Sequence, residues 1–259
     1  MSRSAFGPVL RNEVRLVRAE PLVVVSLMFM PLVIISILKS TMGASLIATG
    51  QTTATGAEQV VPGQGLLFGF FLTSFIGLTF FREHGWGTWD RLRVSRATRF
   101  DIIVAKTLPW VIVGFAQLLI LFLLGWLLFD LAIPGFEGAL GIVVISICWV
   151  IFVGCFSVAM VALLPSIQLV SAVSNLGAMV FSAIGGALVP SAQLPGWARA
   201  LGPFIPTHWA MRGFDAILLE EKGLAGIVVP CLLLLGFAIA FGIIAHTRFR
   251  FDAVKTSWA

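Results

Sequence analysis

Six apolar stretches recur along this chain, at about Pro21 to Leu38, Pro62 to Phe81, Val104 to Phe129, Ala139 to Leu164, Gln168 to Val189 and Gly226 to His246. Each is long enough to cross a hydrocarbon core of about 30 Å, which takes roughly 20 residues of helix. Of the 259 residues 59% are hydrophobic and 11% charged, against about 25% charged in an average soluble domain. That balance excludes an ordinary soluble protein. The expected fold class is an all-α membrane protein of six transmembrane helices, occupying residues 21–246.

Lysine and arginine set the expected orientation, because cytoplasmic segments retain them. Arg3, Arg11, Arg15 and Arg18 precede the first span; Arg82, Arg91, Arg93, Arg96, Arg99 and, at the edge, Lys106 lie between the second and third; Arg248, Arg250 and Lys255 follow the sixth. One side therefore collects 13 of the 17 basic residues, and both termini, including the tail 247–259, are expected in the cytoplasm. The net charge of +5 belongs to the inner membrane face. No basic folded domain with aromatic platforms exists that would bind nucleic acid. The first span is expected to escape signal cleavage, since its apolar core exceeds the roughly 7–15 residues of a signal sequence.

Catalytic chemistry is sparse. Cys148, Cys155 and Cys231 lie inside apolar runs, and His84, His208 and His246 have no partner at metal-ligand spacing, so no metal site is expected. The lysines Lys39, Lys106, Lys222 and Lys255 occupy no phosphate-binding loop. If ATP drives this protein, another polypeptide binds it. No G-x-S-x-G elbow or paired aspartates stand in a span, which argues against intramembrane hydrolysis. No charge is expected in the six cores, which weighs against an ion-coupled carrier.

Three other segments are informative. The N-terminal residues 1–20 place Phe6, Val9, Leu10, Val14 and Val17 near one helical face and Arg11, Arg15 and Arg18 on the other, either as a helix lying in the membrane interface or as a basic anchor for topology. From Pro190 to Gly223 prolines punctuate a segment too long for a turn; it reads as two short helices at the outer surface, with Thr207 as a cap. Small residues recur at Gly65, Gly69, Thr73 and Gly77, and again at Ser171, Ser174 or Asn175, Ala178, Ser182 and Gly186. Such stripes allow close helix approach, and serve either internal packing or a dimer seam or substrate path.

The polar stretch FFREHGWGTWDRLRVSRATR, Phe80 to Arg99, separates the second and third spans. Gly85 and Gly87 permit a bend, and Thr88 can cap a short helix that projects Trp89 and Leu92 among Asp90, Arg91 and Arg93. This is either an anchor for topology or a docking element for a soluble partner.

Four features in this order resemble the membrane subunit of type-2 ABC exporters: VPG at Val61 to Gly63, REHGWGTWDRLRVS at Arg82 to Ser95, AK at Ala105 and Lys106, and GGALVPSAQLPGWARALGPFIPTHWAMRGF from Gly185 to Phe214. The resemblance implies that loop 82–103 is a coupling element for the ATPase, matching Glu83, Gly87, Thr88 and Leu92, with Trp89 and Arg91 beside them. It makes the N-terminal helix, with Arg11, Arg15 and Arg18, an interface helix, and residues 190–225 a re-entrant pair whose Pro195, Pro206 and Trp209 form an outer gate. Gly69, Thr73, Gly77, Ser171, Asn175 and Ser182 would line a substrate path or dimer seam. Arg96 stands where the family commonly has a proline.

The implied function is the permease subunit of an exporter in a bacterial cytoplasmic membrane, moving a hydrophobic drug, a lipid, a glycolipid or a polysaccharide. Its implied partners are two copies of a separate ATPase, which would bind the ATP and Mg, a second permease chain and membrane lipid. The alternatives are a non-transporting scaffold or immunity protein of the same fold, and an ion-coupled secondary carrier.

Overall fold

The computed structural model describes residues 6–48, 50, 54–95 and 97–249. Ten α-helices follow one another: α1 (Phe6–Ala19), α2 (Pro21–Ala48), α3 (Ala57–Gly85), α4 (Trp89–Arg93), α5 (Arg99–Leu128), α6 (Gly135–Leu163), α7 (Ile167–Ile184), α8 (Gly196–Leu201), α9 (Pro206–Leu218) and α10 (Val228–Arg248). Six of them, α2, α3, α5, α6, α7 and α10, are long and apolar enough to cross a membrane. The expected tail beyond residue 249, Arg3 and Arg96 lie outside the described residues.

Helix α3 is the hub, packed against α2, α5, α6 and α7. Its small residues explain how one helix can touch so many: Gly65 faces Leu118 of α5, Gly69 faces the Trp149 indole of α6, and Gly77 faces Val170 of α7. Close backbone approach is what small faces provide where no hydrophobic drive separates helix from lipid. Between them Phe70 meets Trp149 edge-on at 5.1 Å, and Thr73 accepts a hydrogen bond from Ser157 at 3.0 Å. Helices α6 and α10 form a second tight pair through Phe152, Phe156 and Phe241.

One end of the bundle gathers α1, α4, the start of α5 and the end of α10, where Phe249 packs on Phe80. The other end holds α8, α9 and the α2–α3 and α5–α6 connections. There Glu58 folds back onto the Thr55 and Gly56 backbone N–H groups at 3.0 Å each, starting α3. Helix α9 is embedded, with Phe214 fully buried against Phe122.

Several expected boundaries move. Helix α2 continues past Leu38 to Ala48, because no proline intervenes and Lys39 reaches Asp130 at 2.8 Å. Helix α7 stops at Ile184 rather than near Val189, since Gly186 takes φ +87 and ends the helical path. Thr207 caps nothing: α9 starts after Ile205 with Pro206 at its first position, and Thr207 is buried inside it.

Gly63 marks the tightest approach between α3 and the segment after α7, where an added methyl would overlap the Ala187 carbonyl oxygen. Alanine gains about 1 kcal/mol over glycine in a helix, but overpacking against backbone costs about 1–3 kcal/mol. Gly63→Ala is therefore expected to lower the thermal midpoint of the detergent-solubilised protein, whereas Gly236→Ala in α10, with open space around it, should leave it level or raise it. Equal behaviour of the two would refute this packing.

Candidate functional site

The polar stretch after α3 begins with a defined helix stop. Gly87 adopts φ +66, its N–H donates to the His84 carbonyl at 3.3 Å, and the Thr88 N–H donates to the Glu83 carbonyl at 3.0 Å. This is a Schellman closure, in which a left-handed residue lets two orphan carbonyls at the helix end be satisfied. Gly85, by contrast, remains the last helical residue. The closure carries the Thr88 side chain back over α3, where its hydroxyl donates a very short hydrogen bond to the Glu83 carboxylate. Thr88 thus precedes α4 without capping it through its side chain.

The other oxygen of Glu83 accepts from Lys106 Nζ at 2.9 Å. Lys106 is wholly buried, and its ammonium also donates to Glu13 at 2.6 Å and to the Thr79 carbonyl at 3.2 Å. Three donors meet three acceptors, so the cation is saturated. Glu13, in the apolar face of α1, is 1% exposed. Its burial raises the carboxyl pKa, and the neighbouring Lys106 charge opposes that rise. Arg82 extends the cluster, 3.8 Å from Glu13, 3.5 Å from Glu20 and 5.0 Å over the Trp86 ring. A reciprocal Thr98–Asp101 capping box fixes the start of α5, two turns before Lys106.

Lys106, expected at the edge of the third span, stands two turns into the 30-residue α5, wholly buried in protein as the centre of an ion cluster. It was missed because its partners are 93 and 23 residues away in the chain. A signal did exist in Glu13, a carboxylate in the apolar stripe Phe6, Val9, Leu10, Val14, Val17, which demands a cation opposite.

Sequence-derived site residues separate into groups. Glu83, Gly87 and Thr88 come together in this closure. Trp89, expected to project, is 5% exposed and lies against His84 at 4.5 Å and Phe249 at 6.3 Å. What α4 presents instead is Arg91 and Asp90, half-buried Leu92, and the adjoining Val94, 87% exposed. Arg11, Arg15 and Arg18 are exposed on α1, opposite Glu13. Gly69, Thr73 and Gly77 are inside the helix bundle, against α6 and α7. Ser171 is half-buried and Ser182 buried, while Asn175 is exposed on α7. Pro195, Pro206 and Trp209 occupy the far end, where the Trp209 indole donates to the Pro203 carbonyl at 2.9 Å. None of these residues lines the cavity of about 810 Å³ that opens between α5, α6 and α10, walled by Phe100, Ile103, Val111, Ile151, Val158 and Phe249.

Comparison with known proteins decides the family. The family described as ABC-2 type transporter matches residues 6–219. The chain belongs to that family. It carries the membrane permease domain, which lacks ATPase activity of its own, and it is a multi-pass membrane protein with six candidate spans. It is also similar to the linearmycin resistance permease protein LnrN of Bacillus subtilis strain 168, 27% identical over 152 residues, which cover 59% of this chain and 39% of that relative.

Removing one member of a buried ion cluster leaves its partners charged and desolvated, a loss of about 3–5 kcal/mol. Lys106→Met is expected to cost that much in thermal or denaturant unfolding. Adding Glu13→Gln and Glu83→Gln to it should restore a large part, because the stranded carboxylates disappear with their cation. Simple additivity of the three substitutions would show that the groups do not act as one unit.

Proposed function

We propose that this chain is the permease subunit of an ATP-driven exporter that moves a hydrophobic or amphiphilic substrate out of the cytoplasm or inner leaflet. ABC-2 permeases work with ATPase subunits. Here two copies of a separate ATPase, holding ATP and Mg, would dock on the end that bears α1 and α4, with both chain termini on the cytoplasmic side. The chain would pair with a second permease across the exposed faces of α2 and α7, which carry Phe29, Met30, Val33, Leu176, Met179 and Val180. Asn175 lies on that α7 face.

The observation that carries this reading is the bonded path from Thr88 through Glu83 to Lys106 and Glu13. It joins the short helix α4 to α1, α3 and α5, so a load on α4 is delivered to two membrane-crossing helices together. A transporter needs such a link, because ATP binding elsewhere can shift the membrane helices only through contacts that differ between states. The named relative is a resistance permease, and that supports an amphiphile or drug as cargo over a compact ion. Apolar walls offer no compensation to a bare charge. The outer helices α8 and α9, with Pro195, Pro206 and Trp209, would close the exit.

The test uses the exposed part of the loop. Arg91→Glu with Val94→Asp, in vesicles co-expressing the cognate ATPase, is expected to weaken ATPase recruitment by roughly 30-fold or more, the scale of losing an interface anchor. Permease folding and abundance should not change, since both side chains are exposed. Undiminished recruitment would remove α4 from the interface, and failure of the wild-type chain to bind any ATPase would favour a non-transporting scaffold.

A further inference from the structure

The end of the bundle that bears α8 and α9 carries few basic side chains, Lys39, Lys222, Arg199 and Arg212. Two are neutralised: Lys39 pairs with Asp130 and Lys222 with Glu220, each at 2.8 Å. Arg199 and Arg212 form no ion pair among the described residues. They instead converge, with His208, on one cavity of about 250 Å³, whose remaining wall includes Ile184, Ser191 and Leu194.

Arg199 and Arg212, both exposed, can each offer an oxyanion in this cavity charge-assisted, geometrically matched hydrogen bonds. The nearby carboxylates do not fill this role. Asp215, one turn after Arg212, forms no ion pair with it among the described residues, and its Oδ1 is buried without a hydrogen-bond partner; burial and Glu220 push its carboxyl up to about 7 against the pull of Arg212. Glu220 is engaged by Lys222. Burial, with the adjacent Arg212, lowers the His208 pKa, and a ring N–H of the imidazole can donate a hydrogen bond.

The surroundings select the kind of oxyanion. The helix that carries Arg199 exposes Trp197 and Leu201, and the turn after it exposes Phe204 at 77%. Tryptophan and neighbouring apolar side chains at such a position seek the boundary between headgroups and acyl chains. The cavity therefore sits at headgroup depth, with apolar floor residues Ile184 and Leu194.

We infer that Arg199, Arg212 and His208 form a binding site for the phosphoryl head of an anionic phospholipid in the leaflet at the α9 end. The site is separate from the coupling cluster, at the opposite end of the bundle, and its existence does not depend on ATPase docking.

Native mass spectrometry of the full chain in neutral detergent tests this. Phosphatidylglycerol, phosphatidylcholine and inorganic phosphate are titrated in separate arms against wild type, Arg199→Gln with Arg212→Gln, and Arg11→Gln with Arg15→Gln as a control for the basic opposite end. Wild type is expected to retain phosphatidylglycerol roughly tenfold or more tightly than phosphatidylcholine, the scale of one charge-assisted contact. The Arg199/Arg212 variant should lose that preference, and the Arg11/Arg15 variant should keep it. Thermal unfolding checks that the variant is folded; if it is not, Arg199→Lys with Arg212→Lys, which keeps both charges, should retain a weakened preference. The inference is overturned if wild type shows no preference, if the preference survives loss of both arginines, or if it vanishes only with Arg11 and Arg15. Competition by inorganic phosphate as strong as that by the lipid would assign the site to free phosphate and overturn the lipid.

Discussion

An ammonium shut away from water persists only where oxygen atoms replace its hydration shell. Lys106 meets that condition with carboxylates from α1 and α3 and a carbonyl from α3. The relative placement of α1, α3 and α5 at this end is thus tied to a single nitrogen atom. Apolar side chains of similar volume would give equal or greater stability than a buried ionic cluster. What charge adds is discrimination, since a shifted α1 would leave Glu13 or Lys106 uncompensated, whereas a shifted apolar contact would merely slide.

The hub helix α3 then distributes this constraint. Its small residues bring Trp149 of α6, Leu118 of α5 and Val170 of α7 into direct contact with its backbone surface, and a close-packed interior transmits displacement rather than absorbing it. The Schellman closure at Gly87 hangs Thr88 from the same Glu83 carboxylate that Lys106 holds. Consequently α4 is mechanically an appendage of α3 and α5, despite its five residues.

Local chemistry made the six spans legible, because hydrocarbon enforces length and apolarity on each independently. The amphipathic character of α1, the bend at Gly87 and the two short helices after α7 were legible for the same reason: each depends on neighbours in sequence. Long-range closure was not. Trp89 looks like a projecting anchor until Phe249, from the far end of the described chain, covers it. The small stripe on α3 left packing and pathway both open, and only the positions of Trp149, Ser157 and Val170 place Gly69, Thr73 and Gly77 inside the bundle. Thr207 and Thr88 resemble caps by residue type, yet one is buried within α9 and the other spends its hydroxyl on Glu83.

Helix α2 follows from these unequal restraints. At the α1 end it emerges directly from Glu20, which Arg82 holds at 3.5 Å in a half-buried setting linked to the Lys106 cluster. At the other end its side-chain ion pair is Lys39 with Asp130, whose carboxylate is 83% exposed, and exposed pairs contribute only about 0–1 kcal/mol. Between them lies Pro31, which removes a backbone hydrogen bond from the helix interior. The second half of α2 is held by packing rather than by the Lys39–Asp130 pair: Ile35 and Leu46 are buried, Gly43 lies against the Thr55 carbonyl, and the Gln193 amide donates to the Ser45 carbonyl at 3.2 Å. The exposed face around Phe29, Met30 and Val33 brackets Pro31, so whatever packs on this face, lipid or a second permease, meets α2 where its internal hydrogen bonding is interrupted.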